Sequence, residues 1–295
     1  METFQAQYDR YREMAEAALR RMFAQADPPQ ERPWQRLWDA MGYSVLAGGK
    51  RVRPVMALAV CEALGGRAED ALAPACALEL VHTYSLIHDD LPCMDDDDLR
   101  RGRPTCHKVY GETLAVLAGD ALQAEAFRLI ACAPGLTGEQ RAESVRILAE
   151  ACGGDGMVAG QVLDVDQLAG NAQELRQLCA LKTGALLRAA AELGCAAAGA
   201  SPEQRRRAAD YAEHIGLAFQ VRDDMLDVIA DQSEFGKPVG SDKAEGKRTF
   251  VDLLDLAGCQ WMVAEETRLA REAAAALPEG GFLLALADSL ADRRT

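Results

Sequence analysis

Two runs of aspartate set into otherwise apolar helical sequence constrain this chain more than any other feature. Residues 82–103 read H-T-Y-S-L-I-H-D-D-L-P-C-M-D-D-D-D-L-R-R-G-R. Leu78, Val81, Leu86 and Ile87 interleave with His82, Ser85 and Asp89, and those three polar residues share one helical face at i, i+3 and i+7. Around Phe219 the chain reads F-Q-V-R-D-D-M-L-D, where Gln220, Asp223, Asp224 and Asp227 stand at i, i+3, i+4 and i+7, one stripe of a second helix. Its other faces carry Leu217, Phe219, Val221, Met225, Leu226, Val228 and Ile229, the pattern of a helix buried nearly all round. Carboxylates on packed helices are costly unless something cancels their charge. The pattern predicts a helical bundle in which the two stripes meet across one cavity that also holds cations.

Pro92 removes an amide and clashes with the preceding turn, so the first helix ends or kinks among its aspartates. That places Asp89 and Asp90 near a helix C-terminus, where the macrodipole favours positive charge. It also allows Asp95, six residues on, to fold back toward Asp89. Asp96, Asp97 and Asp98 read equally as a solvated acidic turn. Arg100, Arg101 and Arg103 follow at once and suit an anion.

Further basic residues recur at glycines. Gly48 and Gly49 precede Lys50, Arg51 and Arg53. Lys182, Thr183 and Gly184 interrupt a helix predicted over 171–198, and a mid-helix glycine, costing about 1 kcal/mol relative to alanine, predicts a bend or close approach. Lys237 and Lys247 belong to a basic, glycine-containing loop that ends G-K-R-T. Facing carboxylates ringed by Lys and Arg suggest a diphosphate held by several Mg²⁺, since that hard ion prefers carboxylate and phosphate oxygens. Such a site stabilises a leaving diphosphate. The chain has no G-x-x-x-x-G-K-[S/T] phosphate loop and no evident Ser-His-Asp order, which argues against an ATPase or a serine hydrolase.

The remaining sequence reads as helices over 2–26, 34–46, 54–64, from 69 into the first aspartates, 114–130, 139–151, about 157–166, from 202 into the second aspartates, 250–277 and 282–292. Residues 102–111 read as a loop. No stretch shows strand alternation. The expected fold is all-α, a single domain over residues 1–295. A net charge of −14 argues against nonspecific nucleic-acid or anionic-membrane binding. Nine scattered cysteines without C-x-x-C suit a reducing cytoplasm. The polar N-terminal residues show no signal peptide, and no apolar run approaches the ~18 residues of a membrane span.

Together, G-G-K-R-V-R-P, D-D-L-P-C-M-D-D-D-D-L-R-R-G-R-P-T, K-T-G and F-Q-V-R-D-D-M-L-D closely resemble the trans-polyprenyl diphosphate synthases, most nearly the bacterial farnesyl-diphosphate-forming ones. Either aspartate motif alone would be weak; both, in order with K-T-G between, are specific. The resemblance implies an antiparallel helical bundle around a deep central cavity, a homodimer, and head-to-tail condensation of isopentenyl diphosphate with dimethylallyl or geranyl diphosphate, with three Mg²⁺. It implies that Asp89, Asp95 and Asp223 ligate Mg²⁺, and that Asp90, Asp224 and Asp227 ligate it or support it through water. Arg100, Lys182, Thr183, Gln220, Lys237 and Lys247 would hold the allylic diphosphate, and Gly49, Lys50, Arg53, His82 and Arg101 isopentenyl diphosphate. Thr249-Phe250-Val251 departs from the T-Y-P frequent in relatives, at no proposed ligand.

Product length rests on Tyr84, five residues before Asp89 and therefore about 7.5 Å back along the helix. Its ring would floor the pocket beside the small Ser85, and with the two extra residues around Leu91-Pro92 the resemblance implies a C15 product. Alternatives are a C20 or C10 synthase, a terpene cyclase and a non-catalytic regulatory subunit. The second motif D-D-M-L-D and the presence of G-G-K-R-V-R disfavour the cyclase, and two intact aspartate motifs disfavour the subunit. Whether Arg293 and Arg294 close over the site is a question for the structure.

Overall fold

The computed structural model describes residues 2–24, 32–229 and 248–293. Among them are thirteen α-helices and one small hairpin. In order these are α1 (Phe4–Phe23), α2 (Gln35–Val45), α3 (Val52–Ala63), α4 (Ala68–Asp89), β1 (Leu99–Arg100), β2 (Arg103–Pro104), α5 (Cys106–Tyr110), α6 (Glu112–Ala131) and α7 (Gly138–Cys152). They continue with α8 (Met157–Val165), α9 (Ala172–Cys179), a π-helical turn (Ala180–Gly184), α10 (Ala185–Ala198), α11 (Pro202–Ile229), α12 (Phe250–Ala275) and α13 (Gly281–Ala291). The all-α expectation holds.

Local chemistry starts these helices. Thr137 with Gln140, and Thr249 with Asp252, form reciprocal capping boxes at α7 and α12. Asn171 accepts from the amides of Gln173 and Glu174 at α9. Tertiary burial then dominates. α4 packs between α3, α6 and α10, and Ala71, Ala75, Ala77, Leu78, Leu80 and Val81 along it are fully buried. Small residues let the helices approach closely: a Cβ on Gly194 of α10 would stand 2.5 Å from the Ala57 carbonyl oxygen of α3. A separate apolar cluster of Leu175, Leu178, Val221, Met225, Phe250, Met262 and Val263 ties α9, α11 and α12 together behind the second acidic stripe. It sets the angle at which that stripe is presented.

The helix predicted over 171–198 carries, at Lys182-Thr183-Gly184, a π turn and the close approach its glycine predicts. Three features depart from the sequence reading. The stretch 102–111 carries β2 and the one-turn helix α5. The helix predicted over 250–277 breaks at Asp255 (φ 57°, ψ 177°), whose carboxylate accepts from the Gly258 amide at 2.9 Å and so restarts the helix. On α11, Val228 and Ile229 are exposed rather than buried, so the helix is not apolar-packed all round to its end. Lys237 and Lys247 lie outside the described residues. Among the described residues no helix is long and apolar enough to cross a membrane.

Candidate active site

The first acidic stretch turns back on itself as Pro92 predicts. α4 ends at Asp89. The Leu91 amide then donates to His88 O at 3.1 Å, Met94 to Leu91 O at 2.8 Å, and Asp95 to Asp89 O at 2.9 Å. Asp95 is thereby held beside Asp89. Asp96 adopts a left-handed backbone (φ 52°), which separates the fates of the consecutive aspartates. Asp97 pairs with Arg100 at 3.3 Å, and Lys108 pairs with Asp98 at 2.6 Å.

Asp90 is 3% exposed, and its Oδ1 accepts from Nε and Nη2 of Arg100, both at 2.6 Å. It braces Arg100. Burial pushes its pKa up to about 6, against the pull of that guanidinium. The sequence groups Asp90 with Asp89; the fold gives it a partner within the protein.

Lys182 and Thr183 sit in the π turn. The turn is possible because its neighbours are glycines. A Cβ on Gly160 of α8 would collide with the Lys182 backbone nitrogen, and one on Gly216 of α11 would stand 3.3 Å from Gly184 Cα. Lys182 Nζ meets Asp164 Oδ2 at 2.5 Å. Burial raises the pKa of Asp89. Lys182 and Arg100 pull it down, while the like charges of Asp95 and Asp164 push it up. These five groups therefore share one electrostatic neighbourhood, with three carboxylates against two cations. Such an oxygen-rich, charge-deficient cluster suits a hard dication.

The next residue reaches the second stretch. Thr183 Oγ1 donates to Gln220 Oε1 at 2.9 Å, Gln220 Nε2 donates to Asp224 Oδ1 at 3.0 Å, and the Phe250 amide donates to Asp224 Oδ2 at 2.8 Å. Asp224 thus anchors the first turn of α12. Asp227 is buried one turn on. Asp223 pairs with Arg293, whose guanidinium lies 3.9 Å over the Phe219 ring and whose carbonyl accepts from Arg222 Nε and Nη2 at 3.0 and 2.9 Å. Arg293 does lie over the second acidic stretch; burial, aided by Arg222, lowers its pKa to about 10. Arg294 is outside the described residues.

The basic face forms where α3 meets the hairpin. Gly48 and Gly49 have φ of 82° and 128°, and the Arg101 guanidinium rests on Gly49, where a Cβ would stand 2.8 Å from its central carbon. Arg101 also donates to Gly48 O. Burial and Arg101 disfavour the charge on Arg53, while Glu79 supports it. Burial, then Arg53, Arg101, Arg100 and Arg51, keep the His82 pKa well below its ordinary value, so the ring is neutral. Lys50 is exposed as a residue, yet partial enclosure of its amine, and then Arg293, lower its pKa, which links this face to the end of α13.

Arg51 has a different role, and the sequence does not single it out. It is 3% exposed, left-handed (φ 54°), and bonded to Glu16 at 2.7 Å, Glu79 at 2.6 Å and Val45 O at 2.6 Å. The signal in the sequence is Glu79, a lone carboxylate among Leu78, Leu80 and Val81 that needs a buried cation. Asp164 is likewise visible only as a polar spacing with Gln161.

Behind Asp89, Tyr84 is 7% exposed and stands edge-on to His88, with ring centroids 5.7 Å apart. His88 Nε2 donates to Val116 O at 3.1 Å, and its ring occupies the space a side chain at Gly119 would fill. Ser85 Oγ turns back to His82 O at 2.9 Å.

The sequence pattern of the polyprenyl synthetases matches residues 35–273. A chloroplastic geranylgeranyl pyrophosphate synthase of Capsicum annuum is 46% identical over 262 residues, covering 86% of this chain and 71% of that protein. A farnesyl diphosphate synthase of Geobacillus stearothermophilus is 44% identical over 260 residues, covering 86% and 85%. Among solved structures, an FPP/GFPP synthase from Zymomonas mobilis superposes with a TM-score of 0.85 at 34% identity, over 96% of this chain and 97% of that one.

Proposed function

We propose a specific reaction for this chain, which belongs to the polyprenyl synthetase family: head-to-tail condensation of isopentenyl diphosphate with dimethylallyl and then geranyl diphosphate, giving farnesyl diphosphate. The observation that carries this reading is the π turn. Lys182 lies in the electrostatic neighbourhood of Asp89, and Thr183 bonds Gln220, which in turn bonds Asp224, so one turn contacts both acidic stretches, which supports a single site.

The allylic diphosphate lies against Arg100 and Lys182, with Thr183 and Gln220 beside them; Lys237 and Lys247 complete that set from outside the described residues. Asp89, Asp95 and Asp223, with the nearby Asp227, would hold Mg²⁺, which would supply neutralisation of the diphosphate charge. Asp90 holds Arg100 in place, and Asp224 holds Gln220 and α12. Lys50, Arg53, Arg101 and neutral His82 hold isopentenyl diphosphate, with Gly49 giving Arg101 room to approach. A neutral imidazole can donate to a phosphate oxygen without adding charge to a site already crowded with guanidinium groups. The double bond of isopentenyl diphosphate attacks the allylic carbocation, and the released diphosphate takes the proton. Exclusion of water protects that cation. A homodimer is the working assembly.

Tyr84, backed by His88, floors the pocket at C15. A C20 product is the second reading, favoured by the 46% identity to a geranylgeranyl pyrophosphate synthase. Incubation with Mg²⁺, isopentenyl and dimethylallyl diphosphates, followed by dephosphorylation and sizing, tests both. A C15 alcohol supports the reaction and the floor. A C20 alcohol keeps the reaction and removes the floor, and no elongation defeats both.

A further inference from the structure

We propose that Asp96, Asp98 and His107 form a binding site for a first-row transition dication such as Zn²⁺ or Co²⁺, separate from the carboxylates at Asp89 and Asp95. One ring nitrogen of His107 and one carboxylate oxygen from each aspartate lie within 4.8 Å of one another. Two exposed aspartates on a turn would mean little alone. His107 is the independent sign: it is 6% exposed, yet its Nε2 is buried with no hydrogen-bond partner. Native interiors rarely leave such an atom unsatisfied.

Thr105 determines which ring nitrogen carries the proton. Its Oγ1 donates to Asp97 O at 2.8 Å, so toward His107 Nδ1, 3.1 Å away, it can only accept. Nδ1 therefore bears the hydrogen, which in the neutral ring leaves the lone pair on Nε2. A neutral imidazole whose far nitrogen is held by an oxygen is the form that ligates metals.

The carboxylates are suitably placed. Lys108 bonds Asp98 Oδ1 at 2.6 Å and holds the group ionised. Asp96 is exposed on a left-handed backbone, so its side chain can close on an ion without disturbing packing. One imidazole and two carboxylates make a mixed nitrogen and oxygen set, which favours Co²⁺ or Zn²⁺ over Mg²⁺, an ion that prefers oxygen alone. Three protein ligands leave room for water. The Thr105 amide donates to Asp98 O at 3.0 Å, so an ion here would pin the turn to the base of the hairpin that carries Arg100 and Arg101. The site does not depend on the reaction proposed above.

The test is Co²⁺ titration of chelator-treated full-length protein in excess Mg²⁺, which fills all-oxygen sites, read by visible absorbance and by bound cobalt after gel filtration. The expected result is one Co²⁺ per chain with a visible ligand-field band. Binding should weaken at least tenfold in both His107→Gln and Asp96→Asn and stay unchanged in Asp89→Asn. Asp96→Asn tests the site even if His107→Gln fails to fold, because Asn accepts the left-handed backbone and the residue is exposed. The proposal is overturned if no Co²⁺ is retained against Mg²⁺, if Asp96→Asn binds like the parent, or if Asp89→Asn alone abolishes binding.

Discussion

Asp224 offers the sharpest test of how the second acidic stretch works. Its two oxygens accept from Gln220 Nε2 and from the Phe250 amide, and both Asp224 and Phe250 are buried. Asp224→Ala leaves that amide, at the start of α12, without its acceptor. A hydrogen bond to a charged group contributes about 1.5–3 kcal/mol. Gln220 retains Thr183, so most of the loss falls on Phe250, about 3 kcal/mol including the cavity. For a chain of this size each kcal/mol moves the melting midpoint by about 2–4 °C, which gives a fall of about 6–12 °C. Asp224→Asn keeps an oxygen for the Phe250 amide and should lose only about 1 kcal/mol. Asp223 is only part-buried, and Asp223→Asn should melt near the parent temperature while losing diphosphate release. Differential scanning calorimetry and a diphosphate-release assay on the three variants separate the roles. An Asp224→Ala protein that melts with the parent would refute the anchor.

Three further outcomes follow from the geometry. Tyr84→Ala opens the space in front of His88 and should shift the main product from C15 to C20 or longer, read by product sizing; an unchanged C15 product removes Tyr84 as the floor. Arg51→Met strands Glu79, 2% exposed, without its buried cation, and should cost about 3–5 kcal/mol in denaturant unfolding. The double variant with Glu79→Leu should recover much of that, and no recovery would count against charge stranding as the cause. His214 Nδ1 donates to Glu266 at 2.7 Å, and that bond raises its pKa above the ordinary value of 6.5. Its contribution is thus fully present below about pH 6.5 and lost as pH rises through the raised folded value. His214→Gln should flatten stability across that window, and an equal alkaline loss in the variant would assign the effect elsewhere.

The sequence shows the faces but not the partners. Spacing places Asp89, Asp223, Asp224 and Asp227 on helical stripes, and Pro92 predicts the return of Asp95, because both arguments need only local backbone rules. Spacing does not reveal that Asp90 is spoken for by Arg100 or Asp224 by the Phe250 amide, since those partners arrive from other elements. In K-R-V-R, nothing local says that Arg51 turns inward while Lys50 stays at the surface; the left-handed backbone at Arg51 and the facing Glu79 decide it. The π turn has no propensity signature. Gly160, Gly184 and Gly216 hint at close approach, and only their meeting in space makes room for the turn. The helix α5 is too short to show a period, and the break at Asp255 follows from a cap inside an otherwise continuous pattern.

The most direct test of the central claim is diphosphate release from geranyl diphosphate and Mg²⁺, measured with and without isopentenyl diphosphate. The expected result is release that depends on isopentenyl diphosphate, with one farnesyl chain formed per diphosphate. Release without isopentenyl diphosphate, accompanied by a cyclic hydrocarbon, would contradict condensation and make the chain a cyclase.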